Sequence, residues 1–213
     1  MRRERNISRY CGIALAVLAV FSIACGDDPR PDPGSLTSPK ARVRMKNGQR
    51  LQKELARVLA GPENAICQEL GQYDCFGIHS VVLGNADAFG SGLYEPLPSS
   101  TSTTPMAIER VVLSGCSQRV AYDLANPGAA EIFGGLAMNG DGTLASVDDP
   151  SVGDLIDTLY RRGLSRRATD SEIGHLKQLY LDVENSGQSA TPAQDWATLS
   201  CFSVLTTMEF LFY

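Results

Sequence analysis

Residues 151–210 read SVGDLIDTLYRRGLSRRATDSEIGHLKQLYLDVENSGQSATPAQDWATLSCFSVLTTMEF, and the spacing of their apolar residues decides the fold class. Val152, Leu155, Ile156 and Leu159 recur at the interval that sets them on one face of a helix running from Ser151 to Arg162. Asp148-Asp149 before Pro150 supplies its cap. Thr169 and Glu172 stand at the spacing of a capping box, and Ile173, Leu176, Leu179, Tyr180 and Val183 form the stripe behind it. Thr191 ahead of Pro192 marks a third helix start. That helix carries Trp196, Leu199, Phe202, Val204, Leu205, Met208 and Phe210. It is apolar nearly all round, which predicts a place at the centre of a bundle, with Trp196 anchoring the C-terminal hairpin together with Leu199 and Phe202.

The same period appears upstream. Leu51, Leu55, Val58 and Leu59 predict a helix over residues 49–60, closed by Gly61. Pro62 begins a further turn that carries Ile66, Cys67 and Leu70 and stops at Gly71. Ile108, Val111, Val112, Cys116, Val120 and Leu124 predict a long helix from Pro105. Asn126 caps a short one from Pro127 to about Gly134-Gly135, and Asn139-Gly140-Asp141-Gly142 is a turn. Between them, residues 78–83 are a candidate short strand. The glycines, prolines and Ser/Thr run that follow, to Thr104, read as a long loop with a flexible end. The expected architecture is mainly α: a single-domain helical bundle over residues 41–213 with a long irregular central loop and that one candidate strand.

The N-terminus is of a different kind. Arg2, Arg3, Arg5 and Arg9 precede an apolar run over residues 13–20, and Ser22-Ile23-Ala24 leads into Cys25. A basic start, a short apolar stretch and a small residue at the cut make a secretory signal over residues 1–24. The cysteine directly after the small residue resembles a bacterial lipobox, with Ser22 where leucine is commonest. Cys25 is then the acylated residue, and membrane lipid is the partner it implies. Two readings compete: a secreted protein cut near Ala24, and an uncleaved anchor, for which residues 11–24 fall short of the ~20 apolar residues a spanning helix needs. Gly26 after the cysteine leans towards the outer membrane by analogy with enteric bacteria. Residues 25–40, rich in proline and aspartate, read as a tether between lipid and domain.

Composition narrows the function. Removing residues 1–24 takes four arginines and one glutamate from 19 basic and 24 acidic residues, leaving 15 and 23, a formal charge of −8. No basic patch survives that could neutralise several phosphates, so nucleic acid is not an expected partner. The clusters Arg42, Arg44, Lys46, Arg50 and Arg161, Arg162, Arg166, Arg167 read as solvated helix faces or termini. With Cys11 lost and Cys25 acylated, Cys67, Cys75, Cys116 and Cys201 remain, which in an oxidising compartment read as two disulfides. Three connectivities are open. Cys67 with Cys75 is the expected first pair, because Gly71 lets the chain fold back within bridging distance. Cys116 with Cys201 is the second, since both lie on or beside apolar stripes of their helices. Four buried free thiols are the rival reading.

Metal and cofactor chemistry find no motif. Cys-x-x-Cys and a two-histidine ligand pair are absent, and Cys75-Phe76-Gly77-Ile78-His79 lacks the c-type haem spacing. From Asn139, a calcium loop would need glycine and a closing glutamate where Leu144 and Pro150 stand. His79 and His175 are the only histidines. Ser80 beside His79 is sequence adjacency rather than a nucleophile–base pair, and no Gly-x-Ser-x-Gly elbow is present. Glu131 and Glu209 lie among apolar residues, as paired catalytic carboxylates can, but a pair needs a separation that spacing alone does not supply.

Two segments resemble a known pattern. Leu159-Tyr160-Arg161-Arg162-Gly163-Leu164-Ser165-Arg166-Arg167-Ala168-Thr169-Asp170-Ser171-Glu172 resembles a helical hairpin of the form LY-R-LSR-PT-E, with Ala168 in place of its proline. Gln194-Asp195-Trp196 through Met208-Glu209-Phe210-Leu211 resembles the QD…W…L…S-EFL ending of the same pattern. Both are similar to the C-terminal domains of unknown function in planctomycete-type, cytochrome-associated surface proteins, with relatives in exported myxobacterial proteins. The likeness spans about residues 152–213 and implies fold and cellular context more than chemistry. The function expected is therefore an envelope lipoprotein acting as a non-catalytic structural or partner-binding module, with an envelope protein as partner. The alternative is an accessory subunit of an exported redox or polymer-degrading system.

Overall fold

The computed structural model describes residues 44–69, 71–96 and 100–213. Cys25, the signal segment and the tether lie outside the described residues. Val43–Tyr213 forms one compact unit. Its described residues form seven α-helices and one two-stranded hairpin: α1 (Gly48–Leu59), β1 (Gln68–Glu69), β2 (Tyr73–Asp74), α2 (Cys75–Ile78), α3 (Thr104–Ala125), α4 (Pro150–Leu164), α5 (Asp170–Asn185), α6 (Pro192–Leu205) and α7 (Met208–Leu211). The chain is mainly α, as its periodicity predicts.

Helices α1, α4 and α5 start where short polar side chains meet free N–H groups. Asn47 accepts from the Arg50 N–H at 3.0 Å to open α1. Asp149 accepts from Ser151 at 2.9 Å and Pro150 follows it in α4. Thr169 and Glu172 close a reciprocal capping box on α5. Each satisfies donors that an isolated helix leaves unbonded.

α6 sits at the centre, packed against α3, α5 and α4. Trp196 is fully buried in it. Its indole N–H donates to the Leu176 carbonyl at 2.7 Å, and its ring meets Tyr180 edge-on at 6.0 Å between centroids. Burial without that donor satisfied would be costly. Leu199 and Phe202, the expected neighbours, are only partly buried. α5 supplies the anchor instead. Cys116 of α3 is bonded to Cys201 of α6, with Cα atoms 5.8 Å apart.

Several boundaries differ from the sequence reading. After Pro62 there is one 3-10 turn (Glu63–Ala65) and then the hairpin, with Gln68 opposite Asp74 and Glu69 opposite Tyr73. Gly71 does not stop a helix. It lies in the hairpin turn at φ +72°, a conformation glycine adopts without steric cost. The Cys67–Cys75 bond closes this hairpin, with Cα atoms 5.5 Å apart. Residues 78–83 are helical turns running on from α2 rather than a strand, because Asp74 caps that segment through the Phe76 and Gly77 N–H groups. The left-handed residue that closes α1 is Ala60, one before Gly61.

The last helix is interrupted. Thr207 accepts from the Phe210 N–H at 3.2 Å, which ends the run at Leu205 and starts α7, leaving Met208 72% exposed. Thr191 makes no capping bond. The start of α6 is held by the turn at residues 139–142, where the Gly142 carbonyl accepts from Ala193 at 2.9 Å. The described part of the Ser/Thr run ends in packed structure. Thr104 is buried, and its hydroxyl donates to the Val82 carbonyl at 2.8 Å.

Candidate functional site

Among the described residues, a buried ion pair lies where α1 ends against α3 and α4. Helix α1 leaves its last carbonyls without helical donors. Two arginines from other helices take them. Arg162 donates through Nε to Val58 O at 2.6 Å and through Nη2 to Arg57 O at 3.4 Å. Arg119 donates through Nη1 to Leu59 O at 3.4 Å and Ala60 O at 3.3 Å. Cations at a helix C-terminus also meet the negative end of its dipole.

Arg119 in turn pairs with Asp123 one turn along α3, and the Asp123 side chain is fully buried. Asp123 accepts from three backbone N–H groups as well: Glu131 at 3.2 Å, and Ile132 and Phe133 at 2.9 Å each. Burial by itself pushes the carboxyl up. The Arg119 bond and the three amides outweigh that and hold Asp123 below the ordinary carboxylate range. These bonds also explain why the expected helix after Asn126 is only a 3-10 turn, Pro127–Ala129. The N–H groups that would have extended it are bonded to Asp123. Asn126 does not cap it; its amide donates back to Tyr122 O at 2.9 Å.

Above this network opens a cleft of about 440 Å³, walled by Leu59, Pro62, Ile66 and Ala129, with Arg119 and Tyr122 along one side and Glu131 at the rim. Tyr122 is half exposed, its ring 4.8 Å from the Arg119 guanidinium carbon. Gly115 is needed at the floor. A Cβ there would lie 3.1 Å from Leu59 Cδ1 and 3.3 Å from Ile66 O, so α3 could not approach the end of α1 as closely. The cleft thus offers apolar walls, one aromatic face, the polar side chains of Gln118 and Glu131, and a guanidinium whose terminal nitrogens are engaged by the protein itself while its Nε is buried without a hydrogen-bond partner among the described residues. Sequence reasoning passed over Arg119, Tyr122 and Asp123. The available signal was an acid at a stripe position: the buried face of α3 continues from Val120 to Asp123, while Leu124 is only partly buried.

Of the catalytic candidates read from the sequence, Glu131 reaches the rim of this cleft; His79, His175 and Glu209 sit elsewhere, and these four are not brought together with one another. His79 pairs through Nε2 with Glu69 at 2.7 Å, and Arg110 joins the same carboxylate at 3.3 Å. His175 is exposed on α5. Glu131 and Glu209 are held by different arginines, Arg162 at 3.6 Å and Arg166 at 2.9 Å. The second arginine cluster lies on the solvated end of α4, with Arg161 and Arg167 exposed, and its members also make ion pairs. Arg161 and Arg167 both meet Asp157, and Arg166 bridges Glu172 and Glu209, joining α5 to α7. Among the described residues, no group of three or more His, Cys, Asp or Glu is placed to hold a metal ion.

The Arg166 bridge carries a pH dependence. The Arg166 hydrogen bonds, followed by the Thr169 N–H, lower the Glu172 carboxyl to about 2. Below its unfolded value near 4.5 the unfolded chain binds the proton more readily. Stability from this group is therefore complete above that value and is lost as pH falls through about 2. Urea midpoints measured from pH 5 downward are expected to decline, and Glu172→Gln is expected to flatten part of that decline. An identical pH profile in the variant would remove Glu172 from the account.

Comparison with protein-family models, with curated proteins and with solved structures finds no match for this chain. The two disulfides indicate folding in an oxidising, extracytoplasmic compartment. None of the described helices is long and apolar enough to cross a membrane.

Proposed function

We propose that this chain is a lipid-anchored protein of the cell envelope, tethered through acylated Cys25, whose helical domain is a non-catalytic binding module. The outer membrane is its location by the residue that follows the cysteine. The cleft between α1 and α3 is the binding site, and a segment of an envelope protein bearing an apolar side chain is the occupant that fits it. One observation carries this reading. The Arg119 terminal nitrogens, the Asp123 carboxylate and Arg162 are engaged within the fold, so the apolar side chains of Leu59, Pro62, Ile66 and Ala129, the Tyr122 ring and the polar side chains of Gln118 and Glu131 are what a partner meets. Anchoring rests on the arginine-rich start, the short apolar run and the Ser-Ile-Ala-Cys junction. The resemblance of residues 152–213 to cytochrome-associated surface proteins supports the second reading, an accessory subunit of an exported redox or polymer-degrading system.

Cell fractionation with and without Cys25→Ser tests the anchor. The wild type is expected with the membranes and carrying fatty acid, and the variant without it. A fully soluble wild type, or fatty acid on the variant, would overturn the assignment. Cross-linking in solubilised membranes tests the cleft: Tyr122→Ala should lose the envelope proteins that the wild type captures, and an unchanged set would place binding elsewhere.

A further inference from the structure

Phe89 is fully exposed and Tyr94 is 81% exposed, on the same loop. Apolar rings on a loose loop can fold down onto the surface. This loop is built to prevent that. Asp87 and Leu93 exchange both backbone hydrogen bonds, at 2.8 and 2.9 Å, and the Asp87 carboxylate accepts from the Gly90 N–H at 2.8 Å. Ser91 donates to Asp87 O at 3.0 Å, and Gly92 turns the chain at φ +71°. Phe89 therefore stands in a tight turn, held away from the core.

The feet of the loop identify which end of the domain carries it. The Gly48 N–H donates to Leu83 O at 2.8 Å, Asn85 lies against Gly48, and Ser100 contacts the Met45 sulfur at 3.9 Å. Residues 45–48 are where the chain arriving from the N-terminal side joins the fold. Two exposed cations stand at the same end: Arg44, and Arg50, whose guanidinium lies 3.7 Å over the Tyr213 ring and 3.5 Å from the Glu54 carboxylate. Aromatic side chains flanked by cations are the composition of surfaces that sit at a membrane interface.

We infer that the loop over residues 84–96 inserts Phe89, with Tyr94 at headgroup level, into the lipid surface to which the protein is anchored. The inference rests on the lipid-anchor reading for the identity of that surface. The 18 residues from Cys25 to Arg42 span at most roughly 60–65 Å whatever path they take. An acylated Cys25 thus keeps the bilayer within reach of this end, and the loop's contact with it becomes effectively intramolecular. Arg44 is the cation at this end that meets anionic headgroups, and Glu95 beside Tyr94 limits the depth to the interface.

The test uses the full-length protein carrying Phe89→Trp, reconstituted in phosphatidylethanolamine–phosphatidylglycerol vesicles, with the wild type reporting the buried Trp196 background. The added tryptophan should shift to the blue on reconstitution and be quenched roughly two-fold by bromine-labelled acyl chains, as for a ring at the headgroup boundary. Acylation of Cys25 is read separately by mass spectrometry. An acylated protein in which the introduced tryptophan does not respond to the vesicles overturns the loop inference and leaves the anchor standing. Quenching of unacylated Cys25→Ser protein added to the same vesicles supports the loop whether or not the native cysteine carries lipid. A blue shift without vesicles that grows with protein concentration would show a second copy covering the loop, and would also overturn the inference.

Discussion

Asp123→Ala is expected to cost about 3–5 kcal/mol of folding stability, the range for removing one partner of a buried ion pair. The substitution leaves Arg119 without its counter-charge and orphans the amides of Glu131, Ile132 and Phe133 together. These amides hold the segment that places Ile132 and Phe133 in the core, so the lost bonds and the lost packing act in one direction. Urea unfolding checks it. A midpoint shift equivalent to less than about 1 kcal/mol would mean that the segment stays in place without the carboxylate. Arg119→Met combined with Asp123→Leu should cost less than the sum of the two single changes, because residues in one network are not independent.

Replacing Cys116 and Cys201 together by alanine is expected to remove about 4–5 kcal/mol, since their bond closes a loop of 85 residues in the unfolded chain. The Cys67–Cys75 bond spans a separation of only 8. By the same chain-entropy reasoning its removal should cost about 2.5 kcal/mol. The difference between the two double variants, measured under non-reducing conditions, is the diagnostic quantity. Equal losses would mean that packing around the sulfurs, rather than chain restriction, dominates both. Peptide mapping without reduction checks the connectivity directly.

The helices were legible because each buries one stripe, and a stripe leaves a period of 3.6 in the sequence. The capping box on α5 and the Asp149 cap on α4 were legible for the same local reason: both partners lie within three residues. The central place of α6 was readable from the apolar residues on nearly all its sides. The short elements were not. The hairpin carries Cys67 and Cys75, and a pattern read as helical turn resolves into two strands because a disulfide and a glycine turn override a weak local preference. The single run from Pro192 to Phe210 breaks at Thr206-Thr207, where a side-chain cap competes with helix continuation.

The candidate cleft depended least on anything local. Arg119 caps the end of a helix about 60 positions earlier, and Arg162 caps the same end from more than 100 positions later. No periodicity records such pairings, because what selects them is the set of carbonyls left free when α1 stops. Asp123 alone left a trace, as an acid on an apolar stripe, and that trace becomes an anchor only once the amides of residues 131–133 arrive beside it.

The amino-acid sequence by itself determined that this is a mainly helical protein of one bundle, with its apolar faces and most helix starts in place, since those follow from side chains within a turn or two of one another. Only the tertiary structure decided where the buried charges go and which cleft opens above them. It also decided that Phe89 stands in water at the end of the domain where the N-terminal chain joins. Each of these depends on groups far apart in the sequence, whose hydrogen bonds and exclusion from water exist only after the helices have packed.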